Sequence, residues 1–199
     1  MSKKNVRNTR GRIVSAAWQL FYEQGYEDTT VEEIIELSHT SRGSFYHYFD
    51  GKDALLSTLS DLFDEKYESL QPRLSEGMAA MEQLLFLNRE LFTMIENSVS
   101  RDLLARLLST QLVTSGERHL LSHDRTYYRL LRRIISAGQA AGELTDREST
   151  GELVKVYALC ERALMYDWCL CGGDYSLSQY AEKILPNFLT GFLPDANIK

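Results

Sequence analysis

The sequence predicts an all-α protein, with a small three-helix N-terminal unit joined to a larger helical body and about nine helices in 199 residues. Three observations carry this. Apolar residues recur at i, i+3, i+4 and i+7 along most of the chain, and strand-like alternation is nearly absent. Only three prolines occur, Pro72, Pro186 and Pro194, so long stretches run without a helix breaker. A hydroxyl residue followed three positions later by Glu or Gln recurs ahead of apolar runs, which is a helix-start signal.

The elements follow in order. Ile13, Ala16, Ala17, Leu20 and Phe21 share one face of a helix over about 9–24, and Gly25 suits the left-handed stop. Thr30 with Glu33 caps a second helix ending near Ser38, with Val31, Ile34 and Ile35 inward. A short third helix covers about 41–48. Asp50 and Asp53 open a fourth that runs to about Leu70, before Pro72. Longer helices are predicted at about 75–97, 100–114 and 118–141, the last stopping at Gly142. Thr145 with Glu148 caps the next, which ends at Gly172-Gly173, and Ser176 with Gln179 caps the last, about 177–192. Pro186 inside it implies a kink or a missing hydrogen bond.

Composition narrows the class. A chain 44% hydrophobic and 25% charged is an ordinary globular one that needs no metal or disulfide to fold. No apolar run approaches the roughly 18 residues of a membrane span. The N-terminus, MSKKNVRNTRGR, lacks the apolar stretch of a signal peptide, so a cytoplasmic location is expected. Cys160, Cys169 and Cys171 match no zinc or redox spacing and read as reduced thiols. Net charge is −6, but residues 1–12 carry +5 and the remainder −11: a basic arm on an acidic body.

The stretch SHTSRGSFYHYFDGK (38–52) is the most informative. On a helix, Phe45, Tyr48 and Phe49 share a face that must be buried. Ser41, Arg42, Gly43, Ser44, Tyr46 and His47 remain outside, with no carboxylate before Asp50. Hydroxyls, a guanidinium and an imidazole are donors suited to phosphate oxygens and base edges. Gly43 costs up to about 1 kcal/mol in a helix interior, but it lets a partner approach the backbone. Helix, short turn, short helix is the helix-turn-helix plan, whose second helix enters the major groove. A generic three-helix packing unit fits the same pattern.

The run TRGRIVSAAWQLFYEQGYEDTTVEEIIELSHTSRGSFYHYFDGKDALLSTL resembles the DNA-binding domain of the TetR family of bacterial transcriptional regulators. The resemblance covers residues 9–59 and rests on Gly25-Tyr26 with Thr29-Thr30, on Ser41 to Phe49, and on Lys52-Asp53. It implies that Arg42 and Ser44 face bases or nearby phosphates and that Tyr46 and His47 contact phosphate. It further implies phosphate bonds from Thr30 at the second helix start and from Lys52 at the fourth. The basic arm would add sequence-independent attraction or reach a minor groove. One departure stands out: His39-Thr40 occupies a turn where the family usually has Gly and a small apolar residue.

The resemblance also implies a DNA-binding domain over 1–55 and a ligand-sensing, dimerising domain over 56–199. In the penultimate helix Leu153, Val156, Tyr157, Cys160 and Leu164 form an apolar stripe. In the last, Ala181, Ile184, Leu185, Phe188, Leu189 and Phe192 form another. Family dimers bury these two helices, here about 146–171 and 177–192, in a four-helix bundle; a monomeric core would use the same stripes. A pocket for an unknown small-molecule effector is expected among Phe86, Phe92, Met94, Tyr127, Tyr128, Tyr166 and Trp168, residue types that equally serve as core.

The implied function is a ligand-responsive homodimeric repressor of a palindromic operator, not an enzyme and without cofactor or metal. An all-α enzyme would need more than His119 and His123 at i, i+4 beside Asp124. The chain shows no nucleophile–base pair, no phosphate loop and no repeated Glu-x-x-His, since Glu36-x-x-His39 occurs once. A protein-interaction adaptor of the same fold is the other alternative.

Overall fold

The computed structural model describes residues 3–75, 77–113 and 118–194, with residues 3–8 as backbone only. The side chains of Lys3, Lys4 and Arg7 in the basic arm therefore lie outside the described residues. The helices are α1 (Lys3–Glu23), α2 (Val31–Leu37), α3 (Arg42–Tyr48), α4 (Lys52–Leu56), α5 (Leu59–Leu70), α6 (Ala80–Ser98), α7 (Arg101–Val113), α8 (Thr126–Ala140), α9 (Thr150–Leu170) and α10 (Leu177–Phe188). Counting α4 and α5 as one interrupted helix gives nine α-helices among the described residues, which contain no strand. The fold is all-α, as expected.

α1, α2 and α3 pack on one another around Ile13, Ala17, Phe21, Ile34 and Phe45. α6 runs through the body, touching α5, α8 and α10, while α9 lies against α7, α8 and α10. The core is continuous from Ile13 to Phe192. α6 and α8 approach closely at Gly138, where a Cβ would sit 2.5 Å from that of Ala80. Ala79 offers α6 no side-chain cap, and the Glu143 carboxylate accepts the Ala80 N–H at 2.7 Å instead.

Several boundaries differ from expectation, each for a reason visible in the hydrogen bonding. The fourth helix breaks at Ser57-Thr58, where Ser57, Thr58 and Ser60 each donate their hydroxyl to the carbonyl three residues back. Such back-bonding competes with the helical ladder. The helix expected over 118–141 starts at Thr126, because 119–121 form a 3-10 turn and Asp64 from α5 accepts the Tyr127 N–H. The cap of α9 is Ser149, whose Oγ accepts from Glu152 N, and not Thr145, which is buried in the preceding loop. α10 tolerates Pro186 but stops two residues later, and 190–192 tighten into a 3-10 turn.

Candidate nucleic-acid interface

Thr30 and Glu33 form a complete capping box at the start of α2. The Thr30 hydroxyl accepts from Glu33 N at 3.2 Å, and the Glu33 carboxylate accepts the Thr30 N–H at 2.7 Å. The Thr30 N–H, the Thr30 hydroxyl (2.8 Å) and the Gln24 amide all donate to the Glu33 carboxylate and hold it below its ordinary range. Ser41 repeats the device for α3: its Oγ accepts from Ser44 N at 3.1 Å. Between the helices His39 takes φ +50° and the Thr40 N–H reaches back to the Ile35 carbonyl. This is the left-handed helix stop that glycine usually provides. The Arg12 guanidinium donates to the His39 carbonyl at 3.3 Å, tying the turn to α1.

α3 divides as its periodicity predicts. Phe45 and Phe49 are buried and Tyr48 is half-buried against the core. Arg42, Gly43, Tyr46 and His47 are exposed and Ser44 partly so. A Cβ on Gly43 would meet nothing nearer than Ser41 Oγ at 4.0 Å, so no internal packing requires glycine there. Arg42 lies over the Tyr46 ring at 5.8 Å and pairs with Glu32 of α2 at 3.4 Å, both side chains being exposed. Such a pair is worth little in water and exchanges readily for a phosphate or base.

Lys52 is placed differently from expectation. Its ammonium turns inward and donates to the carbonyls of Tyr26 (2.6 Å), Glu27 (3.1 Å) and Thr29 (2.7 Å). All three N–H donors are used in closing the α1–α2 loop, which leaves none for a phosphate. The same ammonium sits 4.4 Å from the centre of the Tyr26 ring, and the Tyr26 hydroxyl bonds Asp53.

Arg106 on α7, which sequence reasoning missed, also lies on that ring, at 4.9 Å, and pairs with Glu27 at 2.6 Å. Five residues earlier, Arg101 donates to the Gly172 carbonyl at the end of α9. α7 thus bridges the reading unit and α9. A cleft of about 690 Å³ separates α1 from α5 and the α6–α7 turn, with Arg10, Trp18 and Asp61 in its wall.

The expected pocket residues are dispersed. Phe92, Tyr127, Tyr128 and Trp168 are buried, Phe86 and Met94 half-buried, and Tyr166 exposed. Phe86 lies between Arg73 and Arg89 on a separate groove with Met81 and Glu182. Trp168 donates to the Tyr175 carbonyl, a structural bond. Of the set, Tyr127 alone lines a cavity of about 30 Å³ with Tyr67, Arg125, Glu161 and Arg162.

Glu161, which sequence reasoning also missed, is buried on α9. It accepts from Asn88 (2.7 Å), Tyr127 (2.6 Å) and Tyr157 (3.1 Å). Burial pushes its carboxyl above the ordinary range against the pull of those bonds. The Tyr67 hydroxyl beside it is buried with no hydrogen-bond partner among the described residues. The signal was present: Glu161 continues the inward spacing of Leu153, Tyr157, Leu164 and Trp168. His119 and His123 do not share a helix face, since the first lies in the 3-10 turn. Arg132 donates to His123 Nδ1.

A three-helix unit whose third helix presents an acid-free outer face, set on an α-helical body, has the plan of a helix-turn-helix DNA-binding regulator. Comparison with known proteins agrees. The profile described as "Bacterial regulatory proteins, tetR family" matches residues 13–59. The HTH-type transcriptional regulator HbdR of Aromatoleum sp. (strain CIB) is 30% identical over 199 residues, covering 96% of this chain and 83% of that protein. The chain belongs to the TetR family of bacterial transcriptional regulators and is not an enzyme. An uncharacterised HTH-type regulator of Lactococcus lactis subsp. lactis is 33% identical over 84 residues, 42% of this chain but only 41% of that protein. The structure of Thermus thermophilus FadR, a TetR-family repressor in complex with lauroyl-CoA, is 26% identical and covers 96% of this chain and 98% of that one, with a TM-score of 0.73. No helix among the described residues is long and apolar enough to cross a membrane.

Proposed function

We propose that the protein is a ligand-responsive, dimeric repressor. Residues 1–55 bind a two-fold operator through Thr30, Ser41, Arg42, Gly43, Ser44, Tyr46 and His47, and residues 56–199 sense an effector and dimerise. The observation that carries this reading is the outer face of α3. It bears four donor side chains, a glycine with open space above it, and no carboxylate of its own.

The dimer reading rests on apolar side chains left exposed on the last two helices: Leu159, Tyr166 and Leu170 on α9, Tyr180 and Phe188 on α10. Of the stripe expected on α9, Leu153, Tyr157 and Leu164 are buried inside the chain while Val156 is exposed and Cys160 half-buried, so Val156 and the apolar residues on the outer face are the ones left for a partner. Two copies joined there would space two α3 helices for successive major grooves.

The effector class is carried over from the Thermus relative: a coenzyme A thioester. A ligand of that size needs a pocket of about 300 Å³ or more, and the cavity beside Glu161 has only about 30 Å³. On this reading, ligand entry beside Glu161 has to separate α5, α8 and α9. The displacement of α9 reaches the reading unit along α7, from Arg101 to Arg106. Ligand thus selects dimers in which the α3 helices are wrongly spaced.

The test is retention of promoter fragments from genomic DNA, followed by salt titration. A retained fragment whose affinity falls steeply with salt, and falls for Tyr46→Ala, is expected. Arg42→Ala should relax base preference instead. Failure to retain any native fragment sinks the repressor reading.

A further inference from the structure

α8 carries Arg129, Arg132 and Arg133 and not one acid along its fifteen residues. The rest of the molecule is rich in carboxylates, with 28 Asp and Glu in the chain. Arg73, Arg106 and Arg125 each lie within 4 Å of one. The α8 trio does not. Arg129 donates to the Asp124 carbonyl and to Thr126 Oγ1 at 2.9 Å. Arg132 donates to the carbonyl and ring of His123, and Arg133 makes one long bond, 3.5 Å, to the Gln71 side chain. Three guanidiniums with no ion-paired carboxylate among the described residues, on an acidic body, are a surface suited to an anion.

Arg129 and Arg133 lie one turn apart and line a groove of about 340 Å³ between α5 and α8, with Glu68, Gln71, Thr126 and Leu130. The groove also holds one carboxylate, Glu68, which accepts from the Thr126 hydroxyl at 2.9 Å and keeps its charge; two guanidiniums against one carboxylate leave the groove net positive. Sequence neighbours of these residues line the small cavity beside Glu161: Tyr67 precedes Glu68 and Tyr127 follows Thr126. The groove is thus the outer side of the same α5–α8 seam whose inner side holds Glu161 and the unpartnered Tyr67 hydroxyl. Guanidinium forks match phosphate oxygens two at a time, and a groove of this size accommodates a diphosphate with part of a nucleoside.

We infer that this groove is the headgroup site of the effector. Arg129 and Arg133 hold the phosphates of coenzyme A at the surface, Arg132 adds long-range attraction, and the acyl end passes between α5 and α8 towards Tyr67 and Glu161. The inference rests on the thioester reading above and adds the point of entry and the residues that select a polyphosphate carrier.

The experiment uses the full-length protein and coenzyme A without an acyl group, followed by titration calorimetry, with inorganic phosphate as a parallel arm. Coenzyme A should bind the wild type in a salt-sensitive manner. The double variant R129A/R133A should bind it at least about tenfold more weakly, and R129K/R133K should recover part of the loss. Thermal stability and ligand-free affinity for the retained promoter fragment should not change. Equal binding of coenzyme A by wild type and R129A/R133A overturns the assignment, as does no binding to the wild type. Inorganic phosphate displacing coenzyme A at equal concentration reduces the groove to a general anion patch and overturns it too. Lauroyl-CoA release of the promoter fragment separates the two proposals. Equal release from wild type and R129A/R133A leaves the thioester reading standing and removes the groove. Release from neither removes the thioester reading and the groove with it.

Discussion

At His39 the backbone enters a region where a Cβ costs about 1–2 kcal/mol, and nothing buried compensates, because the side chain is exposed. Glycine would relieve that cost and lose part of the gain to chain entropy. His39→Gly should therefore stabilise the protein by about 0.5–1 kcal/mol and raise Tm by about 1–4 °C in thermal denaturation. An unchanged or lower Tm would mean that the imidazole contributes a contact of its own. The strain was legible in sequence as a departure from a family pattern. Lys52 was not: its direction is set by three carbonyls 23 to 26 residues away, and no local spacing reports on them. Lys52→Ala should accordingly cost about 1–3 kcal/mol of stability while leaving the salt slope of DNA binding unchanged. Glu161 adds a pH dependence. Its folded pKa lies above the unfolded one, so its contribution to stability is full at low pH and is lost as pH rises through the raised value. Glu161→Gln removes that loss. The difference in urea midpoint between variant and wild type should grow in the variant's favour from about pH 4 towards about pH 8, and parallel curves would refute the assignment.

Among the elements, α1, α2 and α3 were readable because each has one buried face and a local stop or cap. Boundaries in the body were harder to read, since distant residues fix them. α6 begins where Glu143 supplies a carboxylate, and α8 where Asp64 does. At the α4–α5 break three hydroxyls in succession bend back on the helix, whereas the single back-bonds of Ser69 and Thr110 leave α5 and α7 unbroken. Gly138 is the element-scale feature with the sharpest consequence. Leu144 side-chain carbons lie 2.9 Å from where its Cβ would stand, in addition to the Ala80 clash. Gly138→Ala should cost about 1–3 kcal/mol through separation of α6 from α8, despite the higher helix propensity of alanine. Chemical denaturation reads the loss directly, and a gain in stability would show that the two helices slide apart freely.

Across the whole molecule, the two faces of α9 explain why the sequence left monomer and dimer open. An apolar stripe predicts burial without saying against what, and α9 is apolar on two sides: inward through Tyr157 and Leu164, outward through Leu159 and Leu170. In a two-fold dimer every outward residue is used twice, so one substitution removes two contacts. Leu159→Glu would forfeit about 1.5–3 kcal/mol of apolar burial per copy and would place two carboxylates in an apolar seam. The dimer dissociation constant should rise at least about a hundredfold, measured by sedimentation equilibrium. The monomer should stay folded, because Leu159 touches solvent and not the core of its own chain. Each monomer would keep one α3 and lose the second half-site. Operator affinity should therefore collapse while weak, salt-sensitive binding to non-specific DNA persists. A Leu159→Glu protein that remains dimeric, or a monomer that still binds the operator with full affinity, would move the interface off α9.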